Sequence, residues 1–493
     1  MKTFSILKRD IIAILLTLVM VLTLTACGSN DADGAMTKEG ARRTTAKSEN
    51  TDSADPDTPD TTTDTSTDSP SKGSDTSTGV DTSSIFSKRD LEQSPDLSDA
   101  KSLTLHDNDT INITEEGTYL LKGTAADCTI RVELEDPDGK VQLVLDGVTI
   151  TNRDFPAIYV VAADKCFITT TDSVNTLAVT AAFRADGDTN TDAVIYSKDD
   201  LTLNGAGTLT IQSAKGNGIA CKDDLKVTAG TYNLSTALDS LEANDSIAIN
   251  GGTFVITTQK DALHSENEND NSVGYIYIAG GDFTIQAKSD GIQGTSYIRI
   301  DGGTYKIKAS EGIEGTYIEI NDGDLDIYGS DDGINASRKS GAYNTPTIIV
   351  NGGHLKIETG SGDTDALDAN GNIFVNGGTI EVTQNGMSSF DYDGKAEFNG
   401  GTIYINGQQV DSIPKDMFGP GGGRGGNGGN GGGRGGNGGD SNGKFYRPDF
   451  QMPDGGDFQL PDDWNGSFQF PDEWKSELPD GFDIDLFTPS SEI

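Results

Sequence analysis

A right-handed parallel β-helix, an all-β solenoid with a little over twenty residues per coil, is the fold this sequence predicts. A strand, a glycine turn and a second strand recur from Leu201 to Ile211, Ile247 to Ile256, Ile276 to Ile285 and Ile298 to Ile307. The unit returns from Ile318 to Ile327, Ile348 to Ile357 and Ile373 to Val382. The turn glycines from Gly207 to Gly401 are spaced 23, 22, 29, 22, 20, 30, 25 and 23 residues apart. Within the strands apolar and polar residues alternate: Ile298 and Ile300 face one way and Arg299 the other, and Tyr305 and Ile307 oppose Lys306. Strands this short cannot bury their apolar face alone. Stacking each coil on the next pairs every strand in parallel with its copy, about 4.8 Å away, and closes a core. Right-handedness follows from the general preference of parallel crossovers.

The rest of the 493-residue chain falls in order around this centre. Lys2, Lys8 and Arg9 precede an apolar run from Ile11 to Leu24, the layout of a signal peptide over residues 1–26. The run ends in Leu24-Thr25-Ala26-Cys27, which resembles a bacterial lipobox. That resemblance implies cleavage before Cys27, lipidation of Cys27, and a chain tethered by acyl groups on the outer face of the bacterial cell membrane. Residues 27–98 read as a lipidated cysteine and a disordered spacer. Between Asn50 and Ser84, 35 residues contain 10 Thr, 8 Ser and 8 Asp, too few apolar groups to offset the entropy of ordering. The β-helix spans 99–412. Residues 413–443 form a Gly-rich linker, and 444–493 an acidic tail rich in Phe, Trp and Pro, with Phe450-Gln-Met-Pro-Asp454 repeated at Phe458 and Phe468. The tail reads equally as a cap for the last coil or as a segment that folds onto a partner. Cys128, Cys166 and Cys221, an odd number on or beside strands, read as buried thiols.

The net charge is −42, and 23 basic against 50 acidic residues place −27 of it in residues 99–443. Such a balance excludes nucleic acid as a partner and suits cations. Part of it recurs once per coil: Asp239-Ser-Leu-Glu242, Asp261-Ala-Leu-His264, Asp290-Gly-Ile-Gln293, Glu311-Gly-Ile-Glu314, Asp332-Gly-Ile-Asn335 and Asp365-Ala-Leu-Asp368. Asn217-Gly-Ile-Ala220 and Asn385-Gly-Met-Ser388 bracket it with neutral versions. Stacked at roughly 5 Å, these acids repel. Ca2+, which takes six to eight oxygens, resolves the conflict, with Asp239, Asp261, Asp290, Glu311, Asp332 and Asp365 as ligands and Glu242, Glu314 and Asp368 adding oxygens. The alternative is a column of side chains each capping its own turn.

Tyr275, Tyr297 and Tyr317 occupy one outward position in successive coils, with Tyr277 beside them. Rings in register offer apolar faces with polar tips to a sugar chain. They also read as a β-propensity stack on a solvated face.

Repeat, lipobox and acidic column together resemble the calcium-dependent, carbohydrate-binding parallel β-helix proteins of anaerobic bacteria, a family that binds cellulose and pectic polymers and is related in architecture to pectate lyases. The resemblance covers 99–412 and implies calcium along the coils and a polysaccharide partner. It leaves a polysaccharide (pectate) lyase and a structural surface protein as alternatives. A lyase needs a cationic base near calcium. Lys260, Lys288, Arg299 and Lys306 are available, but no basic cluster marks a site.

Overall fold

The computed structural model describes residues 84–414. The signal peptide, Cys27, the spacer up to residue 83, the Gly-rich linker beyond 414 and the aromatic tail lie outside the described residues. No α-helix occurs among the described residues, and the strands pair in parallel from one coil to the next in a β-helix, as the repeat requires.

Each regular coil contributes three strands, and each strand stacks on its copies in a row. One row holds Asp200–Gly205, Asp224–Val227, Ser246–Ile249 and Tyr275–Ile278. A second holds Thr231–Thr236, Thr253–Thr258, Asp282–Gln286 and Thr304–Ala309. The third holds Asn217–Cys221, Leu241–Ala243 and Leu263–Ser265. In two coils the third row runs straight into the first, as the single strands Ile292–Ile300 and Ile313–Ile320. The first coils use longer strands, Gly117–Ala126 and Lys140–Asn152, which explains why the repeat is less regular there. An antiparallel strand pair, Thr402–Ile405 with Gln408–Val410, follows the last parallel pairing.

The alternation read from the sequence sets the core. Ile298 and Ile300 are fully buried, as are Ile318, Ile320, Ile348 and Val350 in the same row. In the second row Tyr232, Phe254, Phe283 and Tyr305 form an interior aromatic ladder, with ring centroids 5.1, 4.7 and 4.8 Å apart. The coil spacing itself makes such stacking possible. At one corner Asn321, Asn351, Asn376 and Asn399 form an amide ladder, each Nδ2 donating to the Oδ1 of the coil before at 2.7, 2.8 and 2.9 Å. The turn glycines do steric work. Gly303 has φ +107°, and a Cβ there would stand 2.8 Å from the Gly281 carbonyl oxygen. Cys128, Cys166 and Cys221 are buried free thiols.

One boundary needs correcting. The spacer was expected to run to residue 98, but residues 84–93 pack against the first strand row. Asp90 is 1% exposed. Its Oδ1 accepts hydrogen bonds from Lys165 Nζ at 3.3 Å and Thr202 Oγ1 at 2.8 Å, and its carbonyl accepts from Thr228 Oγ1 at 2.6 Å. Burial raises the Asp90 pKa, but hydrogen bonds from Ser87 and Thr202 outweigh it and hold the carboxyl below its ordinary value. Ile85 packs with Ala248 and Tyr277, and Arg89 lies 4.3 Å over the Phe167 ring. This strap is held by polar bonds to distant strands, so its composition resembles the spacer it follows.

The aromatic ladder carries a large share of the packing in the middle coils. Phe283→Ala opens a cavity between two stacked rings and is expected to destabilise the solenoid by about 3–5 kcal/mol. The measurement is the denaturant midpoint followed by circular dichroism; a loss under about 1 kcal/mol would show that neighbouring rings collapse into the gap.

Candidate functional site: an acidic column beside a tyrosine row

The recurring acid lies at the corner between the second and third rows, just before each third-row strand, as in Asp239 before Leu241–Ala243. From this corner it reaches the next coil. Asp239 Oδ1 accepts the Asp261 N–H at 3.0 Å, Asp261 Oδ1 the Asp290 N–H at 2.8 Å, Asp332 Oδ1 the Asp365 N–H at 2.8 Å, and Asp365 Oδ1 the Ser388 N–H at 2.8 Å. The column therefore caps turns, but those of the neighbouring coil, and each such aspartate keeps its second oxygen.

Three residues on, a second column stacks in register: Ala220, Glu242, His264, Gln293, Glu314, Asn335, Asp368 and Asp391. Asp391 was missed in the sequence. Asp365 pairs with Ser388, so the last member reads Ser388-Ser-Phe-Asp391, and aligning Asn385-Gly-Met-Ser388 with the column was a slip of three residues.

The two columns bring the expected acids together in three groups whose ligand atoms lie within 4.8 Å of one another: Asp239, Asp261 and His264; Asp290, Glu311 and Glu314; and Asp365, Asp368 and Asp391. Asp332 and Glu242 stand outside these groups. Glu242 is occupied by Lys222 Nζ at 2.8 Å and Asn217 Nδ2 at 2.6 Å.

The groups differ in how their charge is balanced. In the first, Lys260 Nζ lies 2.6 Å from Asp239 Oδ2 and His264 Nδ1 3.2 Å from the same oxygen. Burial raises the Asp239 pKa, but these two partners outweigh it and bring it below its ordinary value. Burial and then Asp239 keep Asp261 raised. In the second group Lys339 Nζ holds Glu314 Oε1 at 2.6 Å. Burial, with Asp261 and Glu314, still pushes Asp290 up to about 8, and burial with Glu314 and Asp290 pushes Glu311 up to about 9. In the third group no cation pairs with Asp365, Asp368 or Asp391 among the described residues, and burial with Asp332 and Asp365 pushes Asp368 up to about 7. Burial first, then Asp331 and Asp365, also carry Asp332 to about 7.

The second group fits a hard dication. Asn335, paired with Glu314, donates Nδ2 to Glu311 Oε2 at 3.2 Å and leaves its Oδ1 buried without a hydrogen bond. Two glutamates, an aspartate and an orphaned amide oxygen form an all-oxygen donor set of the kind calcium takes.

The tyrosine row forms as the spacing requires. Tyr297 pairs with Tyr317, and Tyr275 sits one coil earlier beside Ile276, which pairs with Ile298. The rings do not make an open platform, however. Tyr297 is 2% exposed and Tyr277 is 7% exposed, so neither presents a bare face. Phe86 of the strap lies 6.3 Å from Tyr277, and Tyr343 stacks on Tyr317 at 4.7 Å and approaches Tyr297 at 6.0 Å. The Tyr297 hydroxyl donates to Glu319. Tyr343 belongs to the insertion after Ile334–Ala336, as does Lys339, so one loop touches both the second acidic group and the tyrosine row. Neither residue belongs to the repeat, and no signal of period marks them.

The raised carboxylates fix the sign of a pH effect. Asp290, Glu311, Asp332 and Asp368 bind protons more tightly folded than unfolded, so their stabilisation is complete below about pH 4 and is lost as pH rises through about 7–9. Metal-free protein is expected to melt at progressively lower temperature between pH 5 and pH 9, and added calcium to suppress that decline. A melting temperature flat with pH in chelator rules out the crowded column described here.

Comparison with known proteins follows from this geometry. The family model described as "Carbohydrate-binding domain-containing protein" matches residues 107–316 and 312–412. A relative of that same description from Acetivibrio thermocellus is 36% identical over 127 residues, which cover 25% of this chain and 44% of the relative. The match therefore spans less than half of that relative's length. A solved structure titled as the polysaccharide lyase-like protein from C. thermocellum, gadolinium derivative, aligns at 24% identity over 62% of this chain and 94% of that chain, with a TM-score of 0.35.

Proposed function

The chain belongs to the family of carbohydrate-binding domain-containing proteins, and from that premise we propose that it binds polysaccharide, cellulose or pectin-like, without cleaving it, in a calcium-assisted manner and at the outer face of a bacterial membrane. The observation that carries this reading is the continuity of Ile313–Ile320, one strand holding Glu314 of the acidic column and Tyr317 of the tyrosine row. Three residues at about 3.3 Å each set a cation site about 10 Å from an aromatic surface.

Each part has a distinct task. Tyr317 and Tyr343 offer ring faces to the C–H face of a sugar, and Glu319 accepts hydroxyl hydrogen bonds. Tyr297 contacts both rings from the preceding coil, at 5.7 and 6.0 Å. Calcium held by Asp290, Glu311 and Glu314 neutralises the column and bridges to an acidic glycan, which a surface of this charge repels by itself. The third group, Asp365, Asp368 and Asp391, supplies a second calcium position. Against a lyase, the cations nearest the column, Lys260 and Lys339, are each ion-paired to its carboxylates, and neither stands as an unpaired base.

Two measurements test the reading. Full-length protein is expected to be retained on insoluble polysaccharide at about 1 mM calcium, to be released by chelator, and to yield no unsaturated product absorbing in the ultraviolet. Tyr317→Ala is expected to weaken retention roughly tenfold, the scale of one lost stacking contact. Retention unchanged by both chelator and Tyr317→Ala overturns the proposal, and appearance of unsaturated product establishes the lyase. For the tether, Cys27→Ser is expected to move the protein from the membrane pellet to the soluble fraction; persistence in the pellet removes lipidation from the account.

A further inference from the structure

The second column carries oxygen or amide side chains at every coil from Glu242 to Asp391 except one, where His264 stands. His264 is 8% exposed. Its Nδ1 lies 3.2 Å from Asp239 Oδ2 and 3.8 Å from Asp261 Oδ2. Its Nε2 is buried, makes no hydrogen bond, and lies 3.4 Å from Glu266 Oε2. The ring borders a cavity of about 250 Å³ lined also by Lys222, Glu242, Glu266, Asn267 and Glu268.

We propose that His264 Nε2 and the Glu266 carboxylate are two ligands of a site for a borderline transition dication of the zinc class, separate from calcium binding along the acidic column. Three features argue for it. The first is spacing. Two ligands about 2.0–2.1 Å from a tetrahedral ion stand about 3.4 Å apart, the separation of Nε2 and Oε2, which pair as ions when the ring is protonated and can share a metal when it is not. The second is the support behind the ring. With the ring proton on Nδ1, Asp239 accepts it and Nε2 keeps its lone pair for a metal; metal-bound histidines characteristically donate their other N–H to a carboxylate in this way. Asp239 is itself fixed by Lys260 Nζ at 2.6 Å and by the Asp261 N–H at 3.0 Å. The third is donor chemistry. Imidazole suits zinc, nickel and cobalt, whereas calcium selects oxygen alone.

The insertion that follows is built to hold the second ligand in place. Asn267 Nδ2 donates to Asp245 Oδ1 at 2.7 Å, and Asn267 Oδ1 accepts the N–H groups of Asn269 and Asp270 at 2.9 and 3.0 Å. These bonds pin the turn directly after Glu266. The cavity has room for several waters, at about 30 Å³ each, to complete the coordination. Around it Asp239, Asp261, Glu242, Glu266 and Glu268 outnumber Lys222 and Lys260, so the local field attracts a cation.

The test uses the untagged full-length chain with calcium in excess, so that the oxygen sites are filled, and titrates cobalt(II) as the spectroscopic probe. One cobalt per chain is expected, with visible absorption bands that zinc abolishes by competition. His264→Gln, which copies the Gln293 found at the same place one coil later, is expected to lower cobalt affinity at least about 100-fold, and Glu266→Gln about 10- to 100-fold. Glu266 is exposed, so its variant keeps the fold whatever the effect of replacing His264. No cobalt bound to the wild-type chain, or equal binding by the wild-type and Glu266→Gln chains, overturns the proposal. Glycan retention is measured in parallel: its loss with cobalt binding intact counts against the polysaccharide reading alone.

Discussion

Parallel stacking in register is the constraint on which the rest depends. It sets every side chain over its copy at about 4.8 Å, whatever that side chain is. For apolar groups, aromatic rings and amides this is favourable, as the ladder from Tyr232 to Tyr305 and the chain of amides from Asn321 to Asn399 show. For carboxylates the same geometry is costly. The acidic column is thus the place where the fold works against its own stability, and that is where a ligand has most to contribute.

The structure meets that cost differently along the rod. Near Asp239 the chain supplies its own cation, Lys260, and beside it the His264 ring. Near Glu314 it supplies Lys339, one charge for three acids. Near Asp368 it supplies none among the described residues, and the acids are left to protons. This gradient has a chemical consequence. An incoming dication gains most where resident cations are fewest, so the proposed calcium sites fall on the later coils. In the first group Asp239 is already held by Lys260 and faces the His264 ring.

Much of this was legible in the sequence, because a solenoid repeats its physics with its period. The strand rows, the inward Tyr305 and Ile307, the buried thiols and the stacked acids all follow from alternation and spacing. What escaped lies outside the period. Tyr343 and Lys339 come from an insertion. Asp90 reaches partners 75 to 138 residues away through hydrogen bonds that no composition window detects. Asp391 was lost because two Asn-Gly and Ser-Ser registers compete within one short coil, and only strand pairing decides between them. The tyrosines were placed correctly along the rod, but their covering by Tyr343 and Phe86 depends on segments that do not repeat.

Strap and tyrosine row share one face, and this limits where a glycan can lie. The strap covers the first-row strands from Lys165 to Tyr277, where Phe86 meets the Tyr277 ring. The row continues from Tyr297 to Tyr317 beyond that point. Outward positions under the strap are Thr202 and Thr228, hydrogen-bonded to it, Ala248, packed on Ile85, and Phe167, beneath Arg89. Those beyond it are large and mixed: Arg299, Glu319, Ile349 and Phe374. A buried polar seat for a peptide and a surface rich in rings and charges are different solutions for one flat sheet. The boundary between them at Tyr277 therefore divides the face into a part that serves the chain's own packing and a part that remains for a ligand. The acidic groups with the fewest resident cations lie beyond that boundary, so the proposed cation and sugar contacts share the same coils.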